Sequence, residues 1–394
     1  MSLIHAPSLV TTGLIYYHDM NNTKKSWFGQ PTTNVIASDF DTTFESLSIG
    51  DTAGFNNQLG TGAYLGVSAE KSYVGSKSLK VNRGVRGATQ GRIYRSYSVA
   101  LGEYSAISCW VYSTVAGANL RIEYNGGDYA WTAPVTYNTH TGTGWELLWI
   151  RTTAPATSAT TGYYFFYTNN DNVETYWDLV QVEKTQYPTP YVNGSRSSSS
   201  AIIDMINTVT VGINSLTYGS SNTFSFNGTT DYLSNATPNL VSGNGAFTKS
   251  AWIYSNFKGT SSRHPNIVSW GSNSTGTKNG LALMTDTSSN PLVLQWFYNN
   301  DYTWSIPDIT SSWCNLCVTY ISSVLTLYLN GVSLGTQTVT GTIAVANTEL
   351  EIGRYTASNH WFSGQIPVLQ IYNRALSAAE VQKNFNALRG RYEL

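Results

Sequence analysis

Charge is scarce in this sequence: 22 Lys and Arg stand against 23 Asp and Glu in 394 residues, 11% in all, for a net of −1. That is less than half of the roughly 25% usual in soluble proteins. No Lys/Arg run occurs, and clustered positive charge is what nucleic-acid and anionic-membrane binders work through, so both classes are excluded. Cysteine is nearly missing. Cys109, Cys314 and Cys317 are too few and too unevenly placed for a disulfide framework and read as reduced core residues. No apolar run approaches the ~18 residues that span a bilayer. The opening MSLIHAPSLVTTG has no basic n-region or long apolar segment, so no signal peptide is expected.

Catalytic strings are missing as well. His5, His18, His140, His264 and His360 are scattered without HExxH or HxxxH spacing, and there is no GxSxG, P-loop or GxGxxG. Cys314 and Cys317 form a CxxC, but residues three apart on a strand point to opposite faces and cannot chelate one zinc together. A retaining glycosidase needs two carboxylates ~5 Å apart on one face. Only Glu349 and Glu351 come near this, and they read as a solvated strand edge. The expectation is a protein that is not an enzyme.

Uncharged polar and aromatic residues take the place of charge: 34 Gly, 27 Tyr and 12 Trp, with 41% hydrophobic residues. Such a chain can bury enough surface to fold. Its length allows two or three domains at ~100–200 residues each. Nearly all of its patterning has period two, with turn residues at short intervals, which is the signature of β-sandwiches. Residues 106–112, 120–124, 146–151, 163–167 and 176–182 read as one series of strands. A second series falls at 223–227, 248–254, 281–284, 292–298, 316–320, 324–329, 332–336, 350–353 and 364–372. Asn330-Gly331 lies between two of these and suits a type I′ turn, in which both central residues need positive φ.

Between the two series, NGSRSSSS reads as a flexible connector. The expected division is 1–36 as an N-terminal strand and attachment segment, 37–192 and 201–394 as sandwich domains, and 193–200 as the linker. Residues 377–389 break the period. Ser377 and Glu380 form a capping box, Val381, Phe385 and Leu388 share one helical face, and Gly390 sits at the expected C′ position. The helix should cap the open end of the second sandwich. The fold class is therefore all-β, with two tandem antiparallel sandwiches and one short C-terminal amphipathic helix.

Specific strings carry resemblances. FSFNGTTDYL (224–233), FTKSAWIY (247–254), WCNLCVTY (313–320), LTLYLNGVSLGT (325–336), LEIGRY (350–355) and FSGQIPVLQIYNRALSAAEV (362–381) resemble, in order, a laminin-G-like, concanavalin A-type jelly roll. WDLVQVE (177–183) resembles a late strand of jelly-roll carbohydrate-binding modules. GLIYYHDMNNTKKSWFGQPTTNVI (13–36) and YNRALSAAEVQKNFNALRGRY (372–392) are similar to strings in tailed-bacteriophage virion proteins. These resemblances imply a virion structural protein, as a fibre, decoration or baseplate component. It would be made in a host cytoplasm and carried on the particle as a homo-oligomer, with other virion proteins met through the N-terminal segment. Fold alone fixes no function.

No cofactor is required by these readings, but a structural calcium has some standing. The carbohydrate-module resemblance implies an acidic ligand at Asp178, and Asp231 and Asp301 are carboxylates in polar loops able to offer hard oxygen ligands. Glycan binding would need exposed rings flanked by hydrogen bonders. Tyr124, Asp128, Tyr129 and Trp131 form one such cluster around a Gly-Gly turn. Trp296, Tyr298, Asp301, Tyr302 and Trp304 form another, whose four rings share parity and so describe either a sugar-binding face or a buried core face. A cell-surface polysaccharide is the expected ligand class.

Overall fold

The computed structural model describes residues 8–85, 91–125, 139–168, 170–198, 200–218, 224–236, 239–355 and 360–394. It divides into two compact units, residues 31–196 and a second unit that joins residues 197–394 to the N-terminal segment up to Gln30. Both are antiparallel β-structures, and the described residues form one α-helix, Ala378–Leu388.

In the C-terminal unit two eight-stranded sheets enclose the core. The first runs Thr217–Tyr218, Phe224–Asn227, Ser363–Tyr372, Phe247–Ser255, Trp313–Ile321, Val324–Leu329, Val332–Thr338, with Leu14–Asp19 also paired to Ser363–Tyr372. The second runs Ile202–Asp204, Val209–Asn214, Tyr232–Asn235, Leu350–Ile352, Asn266–Gly271, Lys278–Thr285, Pro291–Trp296, Asp301–Ser305. Alternation places Ala251, Ile253, Leu316, Val318 and Leu327 between the sheets and turns Trp252, Cys317 and Tyr328 outward. Cys314 and Cys317 accordingly face opposite sides of their strand. Asn330 and Gly331 take φ of 51° and 77° and close the expected hairpin.

The helix begins where the sequence places it. Ser377 accepts from Glu380 N, and the Glu380 side chain accepts from the Ser377 backbone. It ends differently, because Gly390 continues into a 3-10 turn over Arg389–Arg391 instead of adopting the left-handed C′ conformation. It also covers a sheet face and not an open end. Val381 packs with Cys317, Tyr328 and Tyr372, while Phe385 and Leu388 pack with Trp252 and Val368. The Phe385 ring stacks on Trp252 at 5.5 Å and 8°.

The N-terminal segment differs most from expectation. Leu14–Asp19 is a buried strand beside Ser363–Tyr372, with Leu14 opposite Tyr372 and Asp19 opposite Val368. Asn384 of the helix accepts from Val10 N at 2.8 Å and donates to Tyr372 Oη at 2.8 Å, and Arg391 pairs with Asp19 at 2.7 Å. Residues 14–30 are thus part of the C-terminal sandwich, not a separate attachment segment. Their partner strand lies some 350 residues away, beyond the reach of local patterning.

The N-terminal unit is a second sandwich. Its four-stranded sheet runs Asn56–Gln58, Arg92–Val99, Thr160–Tyr167, Asn119–Asn125, and its five-stranded sheet runs Tyr64–Ser68, Ser78–Asn82, Glu174–Glu183, Ala106–Ser113, Gly144–Arg151. Trp177 and Phe166 stack in its core at 4.4 Å. Ser195–Arg196, inside the expected linker, pairs with Thr32–Thr33.

Phe385→Ala removes a buried ring from the helix–sheet contact and should cost the C-terminal unit about 3 kcal/mol, at the low end for buried Phe truncation. Urea unfolding followed by tryptophan fluorescence measures this, and an unchanged midpoint would show that the helix does not stabilise the sheet it covers.

Candidate functional site

The site arises from one hairpin. Pro291–Trp296 turns into Asp301–Ser305 through Tyr298 and Asn299, whose φ values of 57° and 58° are those of a type I′ turn, and Phe297 N donates to Asn300 O across its base at 2.9 Å. Opposed residues of an antiparallel pair share a face. Trp296 is opposite Asp301, Gln295 opposite Tyr302, and Val293 opposite Trp304. A two-residue turn makes each pair of opposed numbers sum to an odd value, so even positions before it share a face with odd positions after it. The shared parity of the four rings therefore separates them. Tyr302 and Trp304 enter the inter-sheet core, while Trp296, itself only 8% exposed, joins Ala282, Leu294 and Tyr355 on the outer face. For Tyr302 and Trp304 this overturns the glycan-facing expectation. Tyr302 Oη is committed to Asn300 Oδ1 at 2.7 Å and Thr340 N at 2.8 Å.

On the outer face lies a cleft of about 320 Å³. Trp296, Tyr298 and Tyr355 supply rings, and Asn266, Asn299 and Asp301 supply polar groups. Trp296 meets Tyr355 edge-on at 4.8 Å. Its indole lies across Gly280, directly opposite on Lys278–Thr285, where any Cβ would collide with the ring. Tyr355 is held from behind by Lys278, whose ammonium sits 4.6 Å from the ring centroid. Lys278 in turn pairs with Glu351 at 3.2 Å, and Glu351 also binds Arg354 at 3.0 Å. Glu351 is thus a buried, ion-paired anchor and not the solvated edge residue expected, because its neighbours Leu350 and Ile352 take the core side of the strand.

His264 and His360 form the other wall, stacked at 4.8 Å and 6°. His264 N donates to His360 Nδ1 at 3.0 Å, which requires that nitrogen to be unprotonated. Burial, followed by His264 and Arg263, pushes His360 down to about 4. Burial pushes the Asp301 carboxyl up, opposed by His264. None of the residues lining the cleft is Lys or Arg.

In the N-terminal unit, Asp128, Tyr129, Trp131 and the side chain of Tyr124 lie outside the described residues; the Tyr124 backbone pairs with Gly162. The structure instead shows an aromatic surface that sequence reasoning missed. Tyr73 stacks on Trp110 at 3.8 Å and packs near Trp145, which meets Tyr112 at 5.7 Å. The alternation of Trp110 and Tyr112 with the core residues Cys109 and Val111 is the signal that marks these rings as outward-facing.

Asp178 holds this surface together. Its Oδ2 accepts from Tyr73 N at 2.9 Å and Val74 N at 3.1 Å, and its Oδ1 accepts from Leu179 N at 2.8 Å. Leu179 has φ of 53° and lies in the irregular stretch between Asp178 and Gln181. Burial raises the Asp178 carboxyl to about 6. Asp231 is buried too, accepting from Asn227 N and Thr230 Oγ1 at 3.0 Å each. Of the three carboxylates expected to meet calcium, Asp178 holds the backbone at Tyr73 and Val74, Asp231 serves its own turn, and Asp301 lies in the cleft. Among the described residues no group of three His, Cys, Asp or Glu is placed to hold a metal ion.

Residues 226–382 match the family model described as the concanavalin A-like lectin/glucanases superfamily. The C-terminal unit is a concanavalin A-like jelly roll. Among solved structures, the chain is similar to domain 4 of AbnA, a GH43 extracellular arabinanase from Geobacillus stearothermophilus, in complex with arabinotriose. That likeness has 20% identity and a TM-score of 0.34, and covers 45% of this chain and 88% of that one. It is also similar to the botulinum neurotoxin serotype D/C binding domain, at 13% identity and TM-score 0.39 over 48% of this chain, spanning half of that chain. A third likeness is to the heptameric SAP-like pentraxin of Limulus polyphemus, at 15% identity and TM-score 0.32, over 44% of this chain and 80% of that one. Comparison with curated proteins gives no significant match.

The His360 shift has a definite sign. An unfolded His takes up its proton near 6.5 and the folded one only near 4, so in that window the unfolded chain binds more protons and lowering the pH destabilises the C-terminal unit. Denaturation midpoints across this range should fall more steeply for the wild type than for His360→Gln, and the His360 resonances should titrate near 4. A midpoint near 6.5 would contradict the cleft geometry.

Proposed function

We propose that the protein is a non-enzymatic glycan-binding protein whose C-terminal cleft takes a neutral oligosaccharide. The observation that carries this is the outward placement of Trp296, Tyr298 and Tyr355 around a cleft that also presents Asn266, Asn299 and Asp301. Sugar C–H faces stack on rings, and amide and carboxylate groups accept and donate to hydroxyls. A carboxylate without a lining cation disfavours anionic sugars. The Trp110, Tyr112 and Tyr73 surface of the N-terminal unit is a second place where rings could meet a sugar. A binding role, not hydrolysis, is favoured because Glu351 is sequestered in ion pairs and Asp301 has no second carboxylate among the cleft residues.

The setting we propose is a bacteriophage virion, where this protein would be a fibre, decoration or baseplate component meeting a bacterial surface polysaccharide. The likeness of residues 13–36 and 372–392 to virion proteins supports it. Those two strings come together in the structure, since Leu14–Asp19 pairs with Ser363–Tyr372 and Asp19 binds Arg391. Mass spectrometry of purified particles should find the chain, and its absence from them would remove the virion setting while leaving the binding reading intact.

A glycan array on the full chain should select neutral oligosaccharides. Trp296→Ala should weaken the selected ligand about tenfold, the equivalent of roughly 1.4 kcal/mol of ring contact. Binding unaffected by Trp296→Ala, or an array without hits, would contradict the assignment.

A further inference from the structure

Lys249 lies in Phe247–Ser255 with its side chain between the two sheets, and it is 0% exposed. Its ammonium position is 5.3 Å from the Phe247 ring centroid and 5.4 Å from that of Trp270. Nζ donates to Oδ1 of Asn279, a residue of the opposite sheet that is itself 1% exposed, at 2.8 Å. The same Oδ1 accepts from Gln295 Nε2 at 2.9 Å, while Gln295 Oε1 is buried without a hydrogen-bond partner. Burial holds the Lys249 amine well below its usual range, which favours the neutral form that carries the lone pair.

We propose that Lys249 and Asn279 form an intramolecular isopeptide crosslink that ties the two sheets of the C-terminal sandwich together. The amine is hydrogen-bonded at 2.8 Å to the oxygen of the very amide whose carbon it would attack, and the Phe247 and Trp270 rings flank it. Attack of the Nζ lone pair makes the new N–C bond. Gln295 Nε2 donates to the Asn279 oxygen as it gathers negative charge. The proton shed by Nζ ends on the Asn279 amide nitrogen, the Cγ–Nδ2 bond breaks, and ammonia leaves. Amine and amide become a secondary amide plus ammonia, with no oxidant or other reactant. Among the described hydrogen bonds none joins either side chain to a carboxylate, so no strong base drives the proton transfer and the bond forms slowly, after folding.

Asn279 precedes Gly280, and a backbone succinimide at Asn279 would also expel ammonia. The test separates the two. Full-length protein is stored folded, sampled over time, then denatured and weighed by mass spectrometry. The expected result is a growing species lighter than the sequence mass by one ammonia, and a protease digest containing a branched peptide that joins Lys249 to the segment around residue 279. In Lys249→Met the peptide around residue 279 should keep its full sequence mass. A wild-type mass that never changes would overturn the proposal, as would ammonia loss that maps to residue 279 in Lys249→Met. If that variant does not fold, the branched peptide from the wild type decides alone.

Discussion

A β-strand gives alternate side chains to opposite faces, and in the C-terminal sandwich that division settles what every ring does. One face of each central strand must fill the space between the sheets. Phe247, Trp270, Val293, Tyr302, Trp304 and Tyr320 answer that demand. The other face is left for a separate purpose. On the first sheet it is covered by the C-terminal helix, through Trp252, Val368 and Phe385. On the second sheet it carries Trp296, Tyr355 and the cleft. The same strands that build the core therefore fix the position of the site rings, and a slip of one residue in the Pro291–Trp296 register would exchange the two sets.

Charge, scarce in the chain, is spent on position. Lys278, Glu351 and Arg354 are nearly buried, and burying an ion pair stabilises little unless its hydrogen bonds are complete. Their product here is geometric: the Lys278 ammonium fixes the Tyr355 ring, which fixes one side of Trp296. Gly280 fixes the other side by leaving room for the indole. In the N-terminal unit Asp178 does comparable work, gathering three backbone amides to hold the loop that stacks Tyr73 on Trp110.

Local signals were legible where chemistry within a few residues decides the outcome. The capping box at Ser377, the Asn330-Gly331 turn and the opposite faces of Cys314 and Cys317 all follow from such signals. Reading failed where two distant segments meet or where a turn lacked its usual residues. Tyr298-Asn299 adopts the type I′ turn without the Asn-Gly that announces one, so 292–298 reads as a single strand and the four rings as a single face. Leu14–Asp19 finds its partner at the far end of the chain, and Glu351 finds its cations on another strand and past its own strand end. Of the second aromatic cluster, Trp296 and Tyr298 line the cleft, while Tyr302 and Trp304 belong to the core for reasons of register alone.

The cleft thus depends on one claim, that Trp296 faces a ligand while Trp304, eight positions on, does not. The indole N–H resonances of these two residues, assigned by single Trp→Phe variants, report on it directly. On addition of the neutral oligosaccharide that the array selects, the Trp296 resonance should shift in a saturable way while that of Trp304 stays in place. A saturable shift at Trp304 with Trp296 unmoved would contradict the account.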